Sequence, residues 1–294
     1  MGAKDYLFVG LGLALILYVV TVVRGGLVEP SPLRVAIGFV TAFFDTFGIG
    51  SFATTTTMFR LGNMVPVKLI PGTLNVGHTL STIAQAFIYT KIVPVDSATL
   101  VLMIGAAVIG SWLGAGVVVR WPKRKIQIGM GIALLGAATI FLLQALNKIP
   151  GGSDALALSG VRLAIGLAGN FMLGVLMMLG IGLYGPCMIL VSLLGMNPTA
   201  AFPIMMGSCA FLMPVSVVRF VQSRTYDVKT SISLAIGGLP AALIAALVVK
   251  QLPIEWVRWL VIVVVTYTSL NMLLTARAPE PGGAERPPYK CPDA

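Results

Sequence analysis

The chain has few charged residues. Only 10% of its 294 residues are Asp, Glu, Lys or Arg, whereas 57% are hydrophobic, and soluble domains average roughly 25% charged residues. A soluble chain of this length needs more polar surface than this composition supplies. The hydrophobic residues occur in runs close to the roughly 20 residues that cross a bilayer. The sequence therefore predicts an all-α polytopic membrane protein.

The chain is also poor in the residues that build catalytic and metal sites. His78 is its one histidine, and its three cysteines lack the spacing of metal ligands. No Gly-Lys-Ser/Thr nucleotide motif and no paired His/Glu motif occurs. We therefore expect no enzymatic activity, no metal and no cofactor.

Lys and Arg exceed Asp and Glu, and the net charge is +10. The basic residues form short clusters between hydrophobic runs, such as Arg120 and Lys123 to Lys125. Such clusters are typical of the cytoplasmic loops of membrane proteins. We expect a lipid bilayer as partner and no nucleic acid.

The hydrophobic runs divide the chain into predicted segments. They lie at about 6–23, 34–60, 66–90, 97–119, 125–147, 160–194, 198–222, 229–249 and 254–275. The first run lacks a small-residue cleavage site, so it is interpreted as a retained helix. The predicted domains are an additional N-terminal transmembrane helix (1–33), repeat unit 1 (34–150), repeat unit 2 (151–275) and a disordered C-terminal tail (276–294).

Two segments contain matching glycine breaks. At an offset of 132, the windows 48–71 and 180–203 align without a gap. Glycine and proline in register are hard to obtain by chance, so the sequence predicts two homologous helical repeats. The matched residues are Gly48, Ile49, Gly50, Leu61, Pro66 and Pro71 with Gly180, Ile181, Gly182, Leu193, Pro198 and Pro203.

The broken segments either cross the membrane or turn back. If all nine segments cross, basic residues divide almost evenly between the two sides, which the positive-inside rule does not favour. If 34–60 and 160–194 are re-entrant, one side holds only Lys4, Lys91, Lys148, Arg162, Lys250 and Arg258. This asymmetry favours seven crossings, an external N-terminus, a cytoplasmic C-terminus and inverted repeats. Parallel repeats of four crossings each remain the alternative.

The two breaks are candidate substrate sites. Broken backbone inside a membrane is expensive unless it lines a wet cavity or is buried in protein, and a half-helix that begins there presents unpaired N–H groups to an anion. For a single Gly-x-Gly, close helix packing is the alternative. The candidate binding residues are Gly48, Gly50, Ser51, Thr54 and Thr55 in the first break and Gly180, Gly182, Tyr184, Gly185 and Cys187 in the second.

Polar residues on the following helices are further candidates. Asn75, His78, Thr79 and Thr82 share one helical face, and Ser208 lies in the second repeat. A polar stripe in an apolar helix faces the bundle interior, where hydrogen bonding between helices is the alternative role. Asn75, His78 and Ser208 are therefore candidate binding residues. His78 and the intramembrane Asp45 are candidates for proton coupling, with a packing role as the alternative.

Short motifs in both repeats resemble those of the TauE/SafE sulfite exporter family. They are Leu179-Gly180-Ile181-Gly182 with Pro186, the run 194–201 (LGMNPTAA), and more loosely Phe47-Gly48-Ile49-Gly50-Ser51. The resemblance spans roughly residues 34–275. It implies transport of sulfur-containing anions such as sulfite, organosulfonates or related oxyanions and carboxylates. Ser51 and Leu183 replace a family glycine, and Thr54 to Thr57 is unusually polar, so the substrate within the family is left open.

The leading hypothesis is a secondary transporter for a small anion in the inner membrane. It would work by alternating access, with export and proton coupling implied by the resemblance. A passive anion channel is one alternative, and a non-transporting assembly or sensor protein is another. Whether the chain forms a homo-oligomer is left open.

Overall fold

The hydrophobic segments fold into helices. In this computed structural model the described residues are 3–48, 50–117, 124, 128, 131–132, 135–136, 138–139, 142–143, 146, 155–178, 181–249 and 254–277. Their helices are α1 (Ala3–Gly25), α2 (Pro32–Asp45), α3 (Ser51–Leu61), α4 (Ile70–Ile92), α5 (Ser97–Val117), α6 (Gly160–Met177), α7 (Tyr184–Leu193), α8 (Ala201–Gln222), α9 (Val228–Val249) and α10 (Ile254–Arg277). Most of the predicted segment 125–147, and the predicted tail after Arg277, lie outside these residues.

Several helices suit a bilayer. Within the described part of the chain, four spans are long and apolar enough to cross a membrane: Lys4–Gly25, Gly160–Met177, Pro198–Gln222 and Val228–Val248. Large hydrophobic side chains remain exposed on α1, among them Leu13 (63%) and Ile16 (60%), as expected of a surface that faces lipid. The predicted all-α, multi-pass membrane architecture is confirmed.

Both glycine-broken segments consist of two helices. Segment 34–60 divides into α2 and α3, and segment 160–194 divides into α6 and α7. In the first break Gly48 has φ +91° and Gly50 has φ +83°. A side chain is strained at such angles, so glycine permits the chain to leave α2 and restart as α3. Gly182 in the second break does not have a positive φ, so the two breaks differ in backbone conformation.

The elements that follow the breaks occur in the same order. Each short helix ends near a left-handed residue, Asn63 (φ +47°) after α3 and Gly195 (φ +89°) after α7. A 3₁₀ turn follows in both cases, Val67–Leu69 and Pro198–Ala200, and then a long helix. Pro71 and Pro203 lie in the first turns of these helices, where the missing N–H of proline leaves no hydrogen bond unmade.

The halves of the chain exchange helices. We define the first half as α2 to α5 and the second half as α6 to α9. Helix α2 packs mainly on α9, and α6 packs mainly on α5, so the first helix of each half packs on the last helix of the other. Glycines permit backbone contact there: a Cβ added to Gly237 would lie 2.0 Å from the Val35 carbonyl oxygen, and one added to Gly110 would lie 2.0 Å from that of Phe171.

Cross-helix contacts define the helix directions. Helices α2, α4 and α9 run parallel, because residues that follow one another in one helix meet successive residues in the next. The contacts are Arg34 to Thr230, Gly38 to Leu234 and Ala42 to Gly238 for α2 and α9, and Thr73 to Asp227, Gly77 to Leu234 and Ser81 to Gly238 for α4 and α9.

A second parallel set contains α5, α6 and α8. The contacts are Met103 to Gly166 and Ala107 to Gly174 for α5 and α6, and Ile104 to Gly207 and Trp112 to Arg219 for α5 and α8. The two sets are antiparallel, because α4 and α8 meet end to start, with Tyr89 stacked on Phe202 and Gly72 against Phe220. Helices α4 and α8, which follow the two breaks, therefore point in opposite directions.

In each broken segment, a residue at or before the start of the first helix is hydrogen-bonded to a residue beyond the second helix. The Arg34 guanidinium at the start of α2 donates to the Met64 carbonyl oxygen beyond α3 (3.3 Å). On the opposite side, the Asn197 amide beyond α7 donates to the Ala155 carbonyl oxygen before α6 (2.8 Å). We call the end of the bundle with Arg34 and Met64 the Arg34 end. We call the end with Ala155 and Asn197 the Asp96 end, because the Asp96 amide donates to the Leu156 carbonyl oxygen there (2.9 Å).

Candidate functional site

The two breaks meet at one small cavity. Its lining comes from the end of α2 and the start of α3, from the end of α6 and the start of α7, and from the middle of α4 and α8. The residues are Asp45, Gly50, Ser51, Phe52, Thr82, Met177, Gly182, Leu183, Tyr184, Cys209 and Met213. The volume is about 20 Å³, room for about one water molecule. This conformation therefore leaves little space at the site.

The carboxyl group of Asp45 caps the first half-helix. Its Oδ1 accepts a hydrogen bond from the Ser51 amide at 2.5 Å, where the amide groups of the first turn of α3 have no acceptor within the helix. A negative charge is favoured at this end of a helix. Asp45 is only 2% exposed, and its Oδ2 has no hydrogen-bond partner among the described residues.

Gln85 of α4 joins the two breaks. Its Nε2 donates to Oγ1 of Thr46 in the first break (3.0 Å), and its Oε1 accepts from the Tyr184 hydroxyl in the second (2.9 Å). The Tyr89 hydroxyl donates to the Thr46 carbonyl oxygen (2.8 Å). All four side chains are buried. In a buried site such a network positions its members because each unmade hydrogen bond is expensive.

His78 contacts the first half-helix. Its Nε2 lies 3.0 Å from Oγ1 of Thr55, and its Nδ1 has no partner among the described residues. The other residues of the polar stripe, Asn75, Thr79 and Thr82, have different roles. Asn75 donates to the Pro71 carbonyl oxygen and Thr79 to that of Asn75, both within α4, whereas Thr82 lines the cavity. The stripe is buried as predicted.

Of the predicted site residues, Asp45, Gly50, Ser51, Gly182 and Tyr184 line the cavity. Several others lie outside its lining. A Cβ added to Gly48 would lie 2.9 Å from Met188 and one at Gly185 3.2 Å from Thr268, Thr54 donates to its own helix, and Cys187 is buried. Gly180 lies outside the described residues.

Ser208 belongs to a separate buried contact. Its Oγ accepts from Nδ2 of Asn170, which also donates to the Met103 carbonyl oxygen. Asn170 joins α5, α6 and α8, and the sequence did not single it out because one Asn in an apolar helix has no pattern around it. Gln85 and Thr46, which join the two breaks, and the cavity residue Cys209 were also outside the predicted site. Gln85 continues the Asn75, His78 and Thr82 stripe, which could have indicated it.

The cavity holds no excess of positive charge. Among the described residues that line it, Asp45 is the one carboxylic acid and none is Lys, Arg or His. No three His, Cys, Asp or Glu side chains of the described ranges cluster as metal ligands do. The polar groups available to a bound molecule are hydroxyls, a carboxyl, a thiol and backbone amides.

The fold and the site define a multi-pass α-helical membrane protein with a small cavity between two helix breaks. The family model described as Sulfite exporter TauE/SafE matches residues 162–292, from the start of α6 past the end of α10. This match confirms the resemblance noted in the sequence over the second half of the chain. Neither the search of curated proteins nor the search of solved structures found a match.

Proposed function

We propose that this protein is a secondary transporter that moves a small sulfur-containing anion across the inner membrane by alternating access. The substrate is sulfite, an organosulfonate, or a related oxyanion or carboxylate. The direction of transport is export, and the transport is coupled to protons. The family is one of sulfite exporters. The observation that carries the proposal is the meeting of two half-helix starts, Ser51 and Tyr184, at one small cavity.

The geometry supports an anion as substrate. Half-helices that begin near the bilayer midplane point partial positive charge and free amide groups at anionic substrates in other transporter folds. Here α3 and α7 both begin at the cavity wall. Amide groups in such a place bind an anion without a buried lysine or arginine, whose desolvation would be expensive.

The helix directions support inverted repeats with two re-entrant hairpins. In parallel repeats the equivalent helices α4 and α8 would point the same way, but they are antiparallel. Each broken segment also returns to its starting end, as a re-entrant hairpin does. Repeats of this kind permit one half to rock against the other around a fixed site.

The distribution of charge supports a cytoplasmic Arg34 end. Basic residues of the described ranges that lie at or beside that end include Arg24, Arg34, Arg60, Lys68, Arg219, Arg224 and Lys229, whereas those at the Asp96 end include Lys4, Lys91 and Arg162. Cytoplasmic loops are enriched in Lys and Arg. The N-terminus is then external and the C-terminus cytoplasmic.

Counterflow in proteoliposomes tests this function. Vesicles that contain the purified chain and unlabelled sulfite should transiently accumulate radiolabelled sulfite, since a carrier exchanges substrates through one alternating site. The assay is repeated with organosulfonates and carboxylates as the internal anion. Flux that ignores the internal anion would indicate a passive channel. Absence of flux for every anion would indicate an assembly or sensor protein.

A further inference from the structure

Asp45 occupies the place in which a transported anion would bind. Its Oδ1 accepts the Ser51 amide at 2.5 Å, and this amide is the first of the free donors at the start of α3. The carboxyl group comes from the preceding helix, across the glycine break. The first free amide group of α3 is therefore already bound by an anionic group of the protein itself, the Asp45 carboxylate.

The surroundings of Asp45 are neutral. The titratable groups that face it are the hydroxyls of Tyr89 from α4 and Tyr184 from α7 and the thiol of Cys209 from α8. His78 of α4 is turned to Thr55 on α3. No basic side chain among the described residues forms an ion pair with Asp45. Its charge is thus balanced by helix amide groups rather than by a cation.

The second half-helix lacks a built-in anion. Met177 is the counterpart of Asp45 at the predicted repeat offset, and the N-cap residue of α7, Leu183, makes no side-chain cap. Since both half-helices begin at the same cavity, the cavity has two anion-attracting helix starts and one carboxyl group. Asp45 lines this cavity, and its Oδ2 has no hydrogen-bond partner among the described residues.

We infer that the Asp45 carboxylate competes with the transported anion for the amide groups of α3 and yields them when it takes up a proton. The inference rests on the proposed transport function and adds its coupling. With the site empty, the ionised Asp45 accepts the Ser51 hydrogen bond. When a monovalent anion is bound, the protonated carboxyl group of Asp45 no longer accepts the Ser51 hydrogen bond, and the bound anion accepts it instead.

The exchange keeps the charge of the cavity constant. The empty site carries one negative charge on Asp45, and the loaded site carries one on the bound anion, because the proton on Asp45 cancels the other. Two negative charges together in a buried cavity would be strongly unfavourable. One proton is therefore carried with each monovalent anion, which gives electroneutral proton–anion symport. Export by this cycle is driven by the outward gradient of the anion itself, because an inward proton gradient would drive symport inward.

Calorimetry on the purified full-length chain tests the exchange. Methanesulfonate is the probe because it stays a monoanion across the neutral range, whereas sulfite itself exchanges a proton there. Titration at pH 7.5 in two buffers of different ionisation enthalpy should show uptake of about one proton per anion. The affinity for methanesulfonate should then fall by up to about tenfold for each unit by which the pH rises, as one-proton linkage requires. Asp45→Asn should bind with no proton uptake and no such pH dependence.

A matched variant separates the carboxyl group from the cavity lining. Met213→Leu changes a neutral wall residue and should keep one proton per anion at whatever affinity remains. A second readout needs no variant: the anion-induced infrared difference spectrum of the unaltered chain should gain the C=O stretch of a protonated carboxyl group.

The outcomes distinguish this inference from the function on which it rests. Binding of methanesulfonate without proton uptake or without the infrared band overturns the competition and leaves anion transport standing. Proton uptake that persists in Asp45→Asn overturns it as well. If neither methanesulfonate, sulfite, thiosulfate nor acetate binds to the unaltered chain, both proposals fail.

Discussion

The Tyr184 hydroxyl group donates a 2.9 Å hydrogen bond to Oε1 of Gln85, and through this bond the second helix break is connected to the first. Gln85 holds Thr46 with its other amide atom. The two breaks are far apart in the sequence, and this short buried network joins them directly. A movement of one break relative to the other must open it.

This network should be measurable as a coupling energy. Tyr184→Phe leaves Gln85 Oε1 without its donor, which should lower the free energy of unfolding by about 1–3 kcal/mol. Combined with Gln85→Leu, the loss should be smaller than the sum of the single losses by about 0.5–1.5 kcal/mol. The measurement is denaturant unfolding in detergent.

Tyr18→Phe is the control for that cycle. It also removes one buried hydroxyl group, which donates to the Val76 carbonyl oxygen (2.9 Å), but far from Gln85. Its effect should add to that of Gln85→Leu within a few tenths of a kcal/mol. Strict additivity for Tyr184→Phe and Gln85→Leu would show that the hydrogen bond is not formed.

The Ser51 amide should be the main donor to the substrate. Ser51→Pro deletes this N–H, and proline is well tolerated at the first position of a helix. A hydrogen bond to a charged group is worth about 1.5–3 kcal/mol, so anion affinity should fall roughly 10- to 150-fold. Ser51→Ala keeps the amide and should retain affinity. Equal losses in both variants, measured by calorimetry, would assign the effect to the hydroxyl group.

The exchanged helix contacts should not tolerate a methyl group. Gly237→Ala places a Cβ 2.0 Å from the Val35 carbonyl oxygen, so α2 and α9 must separate, at a cost of about 1–3 kcal/mol or more. The control is Gly105→Ala, its counterpart at the repeat offset, where no atom lies within 4 Å. Thermal unfolding in detergent should show a lower midpoint for Gly237→Ala alone.

Asp96 should contribute a pH-dependent cap to α5. Its Oδ2 accepts from the Thr99 amide (2.8 Å) and hydroxyl (2.9 Å), and the backbone hydrogen bond is the main reason that the pKa of Asp96 lies below its ordinary value. The stabilisation is thus present above the ordinary pKa near 3.9 and lost as the pH falls through the lower folded value.

Asp96→Ala should therefore reduce stability by about 0.5–2 kcal/mol at neutral pH, whereas Asp96→Asn should be nearly neutral, because both Asp and Asn cap helices well. Unfolding of the three proteins at pH 7 and under acid conditions gives the comparison. A stable Asp96→Ala at pH 7 would mean that the cap has no energetic role.

The proposed topology predicts opposite accessibility for two exposed positions. Leu61 is 81% exposed at the Arg34 end, and Ile92 is 38% exposed at the Asp96 end. In a Cys291→Ser background, a membrane-impermeant maleimide should label Ile92→Cys in intact cells, and Leu61→Cys only after permeabilisation. Labelling of both in intact cells would contradict two re-entrant hairpins with seven crossings.

Much of this architecture could be predicted from single residues. Gly48 and Gly50 indicated the first break because their freedom at positive φ is needed there. The paired prolines indicated the starts of the helices that follow, and the spacing of Asn75, His78 and Thr82 indicated one buried face. These features are local, so the sequence carries them directly.

The rest depends on contacts that no local pattern encodes. Gln85 connects the two breaks only because Tyr184 from the other half donates a hydrogen bond to it. Asn170 connects three helices only because α5 and α8 pack beside it. Asp45 was predicted as an isolated intramembrane acid. That its carboxyl group caps α3 follows only from the geometry of the break, because the cap spans six residues rather than the usual two or three.

The exchange of α2 and α6 between the halves has a consequence for biosynthesis. When the ribosome has released only the first half into the membrane, α2 has not yet met α9, and α5 has not yet met α6. Their glycine-lined faces are then in contact with lipid or with the insertion machinery. The contacts of α2 with α9 and of α5 with α6 can form only after the second half has been inserted, so a chain that ends before α9 cannot complete the bundle.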